Sequence, residues 1–290
     1  MKGVKELKAR IKSVTNIQKI TSAMEMVAAT KLRRLQDRAL STRPFADRIE
    51  AMMRRVAAHA DPDASPLLQV PDKVTVETLV IVGADKGLCG AYNSNLARHA
   101  LKELEKNRDE GVATKLYIFG RRPQGFFSKL KDADVAWVYG QSVEKIQYPD
   151  IRRVMNLLVA GFLDGEVQRV RVIYTEMKSM AVFTPTTQGL LPVTSPDAAG
   201  EESGAAADYI LEPSPDVIMK RLLPRYLEMQ LYAAALESLA SEFAARRMAM
   251  KNATDAADDM LETLATAYNK ARQEGITNEL LDLVGGVVAS

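Results

Sequence analysis

The chain has 290 residues, of which 47% are hydrophobic, 26% charged and only 6% aromatic, and its formal net charge is +2. That length and apolar share suit one or two domains with real cores, and the small net charge excludes a polyanion binder that works by bulk charge. A single cysteine, Cys89, excludes an internal disulfide and a cysteine-based metal centre, and His59 and His99 stand apart in sequence, so no metal or other cofactor is expected.

The opening MKGVKELKAR has no apolar core and carries Glu6, so neither a secretory signal nor a transit peptide is expected. No run of ~18 apolar residues occurs, so any membrane contact is expected only through partners. Residues 2 to about 58 carry one long helical pattern. Val4, Leu7, Ile11 and Val14 step by 3, 4 and 3, and Ile17, Ile20, Met24 and Val27 do the same after a step of 3 where 4 is due. That slip predicts a stammer, with both sets packed on a second helix. Leu32, Leu35, Ile49, Met52, Met53 and Val56 continue the stripe, and Pro44 is expected to kink or reset the helix. At ~1.5 Å per residue such a helix would run roughly 80 Å.

The Pro- and Asp-rich stretch DPDASPLLQVPD, residues 61–72, reads as a linker. The period then changes. VETLVIVG, KLYIFG, DVAWVYG, RVRVIYTE and AVFTPTTQGLLPV read as strands, with helices from Tyr92 to about Lys106, in RRPQGFFSKL and in DIRRVMNLLVAGFL. Strands alternating with helices predict an α/β unit with a largely parallel sheet. Residues 194–208, TSPDAAGEESGAAAD, read as a flexible linker. From about Pro215 the pattern is helical again, with Pro224 expected to end a short helix or kink a longer one. Leu236, Leu239, Phe243, Met260, Leu264, Ala267 and Ala271 hold its apolar stripe.

Two helices that cannot bury their stripes alone are expected to pair with each other, antiparallel because the middle domain lies between them in sequence. The fold class is therefore an α/β central domain with a long antiparallel two-helix coiled coil. Its parts are an N-terminal helix over 1–60, a central Rossmann-like domain over 72–207 and a C-terminal helix over 209–290, with residue 24 opposite roughly 246–258.

The stretch VGADKGLCGAYNSN, residues 82–95, lies where a phosphate loop would, between strand and helix, but has neither GxGxxG nor GxxxxGK followed by Ser or Thr. A tight turn needing Gly87 and Gly90 accounts for it as well. Cys89 would need a base, and His99 is ten residues away. No catalytic residue is assigned. Residues 1–55 hold fourteen Lys and Arg against five Asp and Glu, a net of +9, which suits an acidic protein surface. A nucleic-acid partner is not expected, because only one aromatic residue, Phe45, falls among these charges and no recognised binding module is present. The closing ITNELLDLVGGVVAS is small, neutral and apolar where an exposed terminus would be polar, so something is expected to surround it.

The segments KARIKSVTNIQKITSAMEMVAATKLRR, KGLCGAYNSNL, PRYLEMQLYAAALESLASEFAARRMAMKNATDAA and YNKARQEGITNELLDLVGGVVAS, in that order, resemble the gamma subunits of bacterial F-type ATP synthases. The resemblance covers the whole chain. It implies a central-stalk rotor that couples proton or sodium flow through the membrane ring to nucleotide chemistry on the beta subunits. The implied partners are the alpha and beta subunits, the epsilon subunit and the ring of c subunits, at the cytoplasmic face of the bacterial plasma membrane. Lys19, Ile20 and Met24 match the region facing the acidic levers of beta, and Arg272 and Gln273 match residues that contact a catch loop on beta. Leu280, Leu283, Val284, Val287 and Val288 fall at the tip that turns in an apolar bearing. With one cysteine, the thiol switch of plastid relatives is not implied. A nucleotide-binding enzyme with a coiled-coil arm and a basic nucleic-acid binder are the readings of other classes.

Overall fold

A computed structural model describes residues 2–57, 65–179, 182–193 and 212–288, the side chains of 2, 57, 279 and 281–288 excepted. It contains α1 (Lys2–Ala57), β1 (Val76–Val82), α2 (Tyr92–Asp109), β2 (Ala113–Phe119), α3 (Arg121–Phe127), β3 (Asp134–Val138), α4 (Tyr148–Leu163), β4 (Arg169–Met177), β5 (Phe183–Leu191) and α5 (Pro215–Val288). Neither proline breaks its helix: Pro44 lies inside α1 and Pro224 inside α5, which is therefore one helix of 74 residues rather than a short helix and a long one. The stretch read as a linker contributes a 3-10 turn at Pro66–Leu68, capped by Ser65, with Leu67 buried and its carbonyl accepting from the Val193 amide. Among the described residues no helix is long and apolar enough to cross a membrane.

The chain forms two compact units, one of residues 31–245 and one of residues 1–30 with 246–290. The larger is built on a five-stranded sheet in the order β3-β2-β1-β4-β5. The pairs β1–β2, β1–β4 and β2–β3 are parallel, and β5 runs antiparallel to β4 at the edge. Near-continuous apolar runs such as VETLVIV mark strands covered on both faces. Leu79, Ile81, Leu116, Ile118 and Ile173 pack with Leu96 and Ala100 of α2 and Phe127 of α3. The alternate positions Val80, Val170 and Val172 are equally buried, as period-2 geometry requires of a doubly covered sheet. A capping box between Gln147 and Asp150 starts α4.

In the smaller unit α1 and α5 run antiparallel. The contacts pair rising numbers on α1 with falling ones on α5: Gln18 Nε2 donates to Asp258 Oδ1 at 2.6 Å, the Thr21 and Thr254 hydroxyls are 2.8 Å apart, and Glu25 lies 4.0 Å from Arg247. Residue 24 is thus opposite the predicted stretch of α5. The seam itself departs from the expected stripe. Val4, Leu7, Ile11, Val14, Gln18, Thr21, Glu25 and Ala28 are all buried or half-buried, an unbroken 3-4 heptad with no stammer, and Thr15, Ser22, Met24 and Ala29 are half-buried at its flanks. Ile17, Ile20 and Val27, expected in the seam, are 51%, 59% and 56% exposed. On α5 the half-buried seam positions include Leu261 and Tyr268, while Met260 and Ala267 are exposed. The expectation followed apolar letters. The helices keep their seven-residue phase instead, placing small and hydrogen-bonding side chains in the seam. Met52 is exposed for the same reason, beside the buried Ile49, Met53 and Val56.

Candidate functional site

A doubly wound sheet offers a ligand crevice beyond the carboxyl ends of its strands, where the strand order reverses. Here that point lies between β1 and β4, under the loop 83–91 that the sequence singled out. The crevice is filled by α5. Ser238 Oγ donates to the Val82 carbonyl at 2.8 Å, lies 2.8 Å from the Tyr92 hydroxyl and accepts from the Thr175 amide at 3.3 Å. Tyr92 also donates to the Ser238 carbonyl at 3.0 Å, and Ser241 Oγ donates to the Thr175 carbonyl at 2.9 Å. Both serines are fully buried. Ser238 and Ser241 are ~4.5 Å apart along a helix axis, close to the ~4.8 Å between neighbouring strands. One helix face therefore meets the ends of β1 and β4 together.

The loop's residues serve the same closure. Ala84, Cys89 and Tyr92 pack with Ala245. Cys89 Sγ accepts from the Asn93 amide at 3.1 Å, whereas His99 Nε2 pairs with Thr187 Oγ1 of β5 at 2.8 Å, so the structure does not join cysteine and histidine. Leu88 and Gly90 both take positive φ, 61° and 58°, which sets the tight turn. Burial, reinforced by Glu242, pushes the Tyr92 phenol far above its ordinary pKa and keeps it a neutral hydrogen-bonding group. Asp85 accepts from the Arg121 and Val143 amides and from Ser142 Oγ, tying the loop to the neighbouring strand ends.

The second feature lies on α1 in the smaller unit. Ile17, Ile20, Met24 and Val27 form one stripe beside the seam, with Met24 half-buried and the other three exposed. An exposed apolar stripe on a helix rimmed by polar residues marks a surface that meets another protein. Lys19, Arg272 and Gln273 are exposed as well. Leu280 is 57% exposed on α5. The side chains of Leu283, Val284, Val287 and Val288 lie outside the described residues, although the α5 backbone runs to Val288.

A family model described as ATP synthase matches residues 3–289. The ATP synthase gamma chain of Maridesulfovibrio salexigens is 38% identical over 291 residues, covering 100% of this chain and 99% of the relative. The chain belongs to the ATP synthase gamma chain family. The gamma chain of Glaesserella parasuis is 39% identical over 289 residues, covering both chains fully. Among solved structures, a chain of the Euglena gracilis mitochondrial ATP synthase in its OSCP/F1/c-ring assembly aligns with a TM-score of 0.66 at 17% identity. That alignment covers 99% of this chain and 94% of the other, a likeness of fold.

Some gamma-chain features escaped the sequence reading. The buried carboxylate of Glu77 on β1 accepts from Arg169, Arg171 and Asn107, and Arg171 also reaches Glu103 at 2.5 Å. No short motif announces this network, which is assembled from three separate elements, β1, α2 and β4. Ser238 and Ser241 carried a weak signal: serine is disfavoured inside a helix unless its hydroxyl has a particular partner.

Proposed function

We propose that this chain is the central-stalk rotor subunit of an F-type ATP synthase. In that reading it couples proton or sodium flow through the membrane ring to ATP synthesis and hydrolysis at catalytic sites on the beta subunits, and holds no catalytic site itself. The observation that carries the reading is the outward apolar stripe Ile17, Ile20, Met24 and Val27 on an antiparallel helix pair whose own seam turns polar beside it, at Gln18, Thr21 and Glu25. A pair that buried all its apolar groups internally would have little to turn against. Along this stretch the pair is held by Gln18–Asp258, Thr21–Thr254 and Glu25–Arg247, which leaves the apolar stripe beside them for a surrounding surface. The filled crevice at the strand ends supports the absence of a nucleotide site on the sheet.

The partners are the alpha and beta subunits as a ring, the epsilon subunit and the c ring, with membrane contact only through them, at the cytoplasmic face of the bacterial plasma membrane. The +9 excess on residues 1–55 complements acidic levers on beta, which Lys19, Ile20 and Met24 face. Arg272 and Gln273 contact the catch loop on beta. The tip from Leu280 through Leu283, Val284, Val287 and Val288 turns in an apolar sleeve, where small neutral groups make no directional bond to break at each step. The three working parts are the helix over 1–60, the foot over 72–207 and the helix over 209–290. The test is reconstitution: alpha and beta subunits with this chain should give an ATPase that is lost without it. ATPase activity indifferent to the chain would overturn the proposal.

A further inference from the structure

Helix α2 of the larger unit lines two clefts, of about 640 and 530 Å³, that meet at Leu101, the first closed by α3 and the second by residues 130–133 and the start of β2. Along α2 this groove runs from Asn93 to Arg108. That stretch is ~22 Å at 1.5 Å per residue, the length of about four helical turns. The floor is apolar. Leu101 and Leu104 are only partly buried by the sheet core, and Phe126 and Leu130 stay 39% and 36% exposed. The rim of the first cleft carries Arg98, Arg121, Arg122 and Lys129 with no aspartate or glutamate, whereas the second carries Arg108 and Lys131 with Glu105 and Asp132, so the cationic excess lies at the α3 end. Among the described residues none of the first cleft's four cations has a carboxylate within 4.0 Å.

Two of the cations have close neighbours. The Arg98 guanidinium donates to Asn95 Oδ1 at 3.1 Å. Arg122 lies so close to Gly87 that a Cβ there would meet its terminal nitrogen at 2.6 Å. A small-molecule site would put a few buried polar anchors inside an enclosed cavity, whereas these cations are all exposed at the rim of an open trough. A bilayer surface is flat and cannot line a concave trough between two helices. A long apolar trough with a cationic rim instead fits an amphipathic helix, whose apolar anchors at i, i+3, i+4 and i+7 enter the groove while its flanks meet the rim.

We propose that the α2–α3 groove is a docking site for an acidic amphipathic helix of a partner polypeptide. The assignment rests on elements other than α1 and α5 and stands or falls independently of the rotor reading. The test uses the full-length chain and a fluorescent 16-residue helical peptide with leucines on one face and glutamates on both flanks. Fluorescence anisotropy should show saturable binding that weakens as salt rises. Arg98→Glu with Lys129→Glu should weaken it at least about tenfold, which is ~1.4 kcal/mol, with the far-ultraviolet circular dichroism unchanged. Phe126→Ser should weaken it through the floor without touching the charge. A matched lysine-flanked peptide should not bind. Absence of saturable binding, equal binding of the lysine peptide, or indifference to both variants would overturn the proposal. Displacement of the peptide by ATP or inorganic phosphate would overturn it in favour of a small anion. Sedimentation with phosphatidylglycerol vesicles that is lost on Arg98→Glu would overturn it in favour of a lipid surface.

Discussion

The contact between Tyr92 and Ser238 is where the sheet grips α5, and its strength can be measured by a double-mutant cycle. Ser238→Ala removes the group that serves the Val82 carbonyl, the Thr175 amide and the Tyr92 hydroxyl together. Tyr92 keeps its bond to the Ser238 carbonyl. The Val82 carbonyl loses its Ser238 donor in a fully buried place, at about 1–3 kcal/mol, and the weaker loss at Thr175 brings the expected cost to about 2–3 kcal/mol. Tyr92→Phe removes only the hydroxyl, and Ser238 still has Val82 as an acceptor, so about 1 kcal/mol is expected. Because the two variants share one bond, the double variant should cost about 1 kcal/mol less than the sum. Trp137, the only tryptophan, sits on β3 with its ring 5.7 Å from Tyr117, so its fluorescence in urea reports unfolding of the sheet. Strict additivity, or a Ser238→Ala cost below about 0.5 kcal/mol, would refute the idea that these hydroxyls fasten the helix to the strand ends.

Glu77→Leu should lower stability by about 3–5 kcal/mol in the same urea assay, because it leaves the half-buried Arg169 and Arg171 without their shared carboxylate; a cost near zero would mean that Glu103 and Glu110 take over. Burial holds the Glu237 carboxyl above its ordinary pKa, against the Met177 amide that lowers it, so the folded state retains its proton more readily than the unfolded state. That contribution is fully present below the unfolded pKa and is lost as pH rises through the folded one, so Glu237→Gln should gain stability relative to the parent at pH 7 and lose that gain in acid. A gain that persists unchanged at pH 3 would contradict the sign. Met24→Lys, at a half-buried position beside the seam, should cost no more than about 1 kcal/mol of folding stability. Under the rotor reading it should nevertheless lower proton pumping per ATP hydrolysed in proteoliposomes, and an unchanged ratio would count against that role.

Where a single periodicity dominated, the sequence was a good guide. The runs VETLVIV and RVRVIYTEM read as strands, and the alternation of strand and helix pointed to a largely parallel sheet. The long helices were equally legible, and so was their antiparallel pairing. Their facing residues were not. In ITSAMEMVAAT the apolar letters suggest one stripe and the heptad phase inherited from Val4, Leu7, Ile11 and Val14 dictates another, and cooperative supercoiling follows the phase. Ile20 and Met24, assigned to partner contact by resemblance, lie on the exposed stripe that this phase leaves outside. The Glu77 network and the Ser238 grip were hidden for a different reason. Each depends on residues brought together from distant parts of the chain, and a buried carboxylate reads in sequence like any surface charge.

The grip at the strand ends has a mechanical consequence. A helix packed on a sheet by apolar contacts alone can roll about its axis, because such contacts are non-directional. Two hydroxyls on one helix face, each bonded to the end of a different strand, remove that freedom: rolling α5 would pull Ser238 from Val82 and Ser241 from Thr175 together. The fold thus uses the position where other doubly wound sheets hold a ligand to fix the rotational setting of a long helix. If the chain is a rotor, this is the point at which twist enters α5 from the foot. Beyond Ser241 the chain continues as the same α-helix to Val288. Replacing Ala240, which lies between the two serines and is 6% exposed, by glycine tests the point. It should soften the helix there by about 1 kcal/mol while leaving both hydroxyl bonds in place. A lower coupling ratio with unchanged sheet stability by Trp137 fluorescence is the expected result, and loss of both together would place the effect in folding instead.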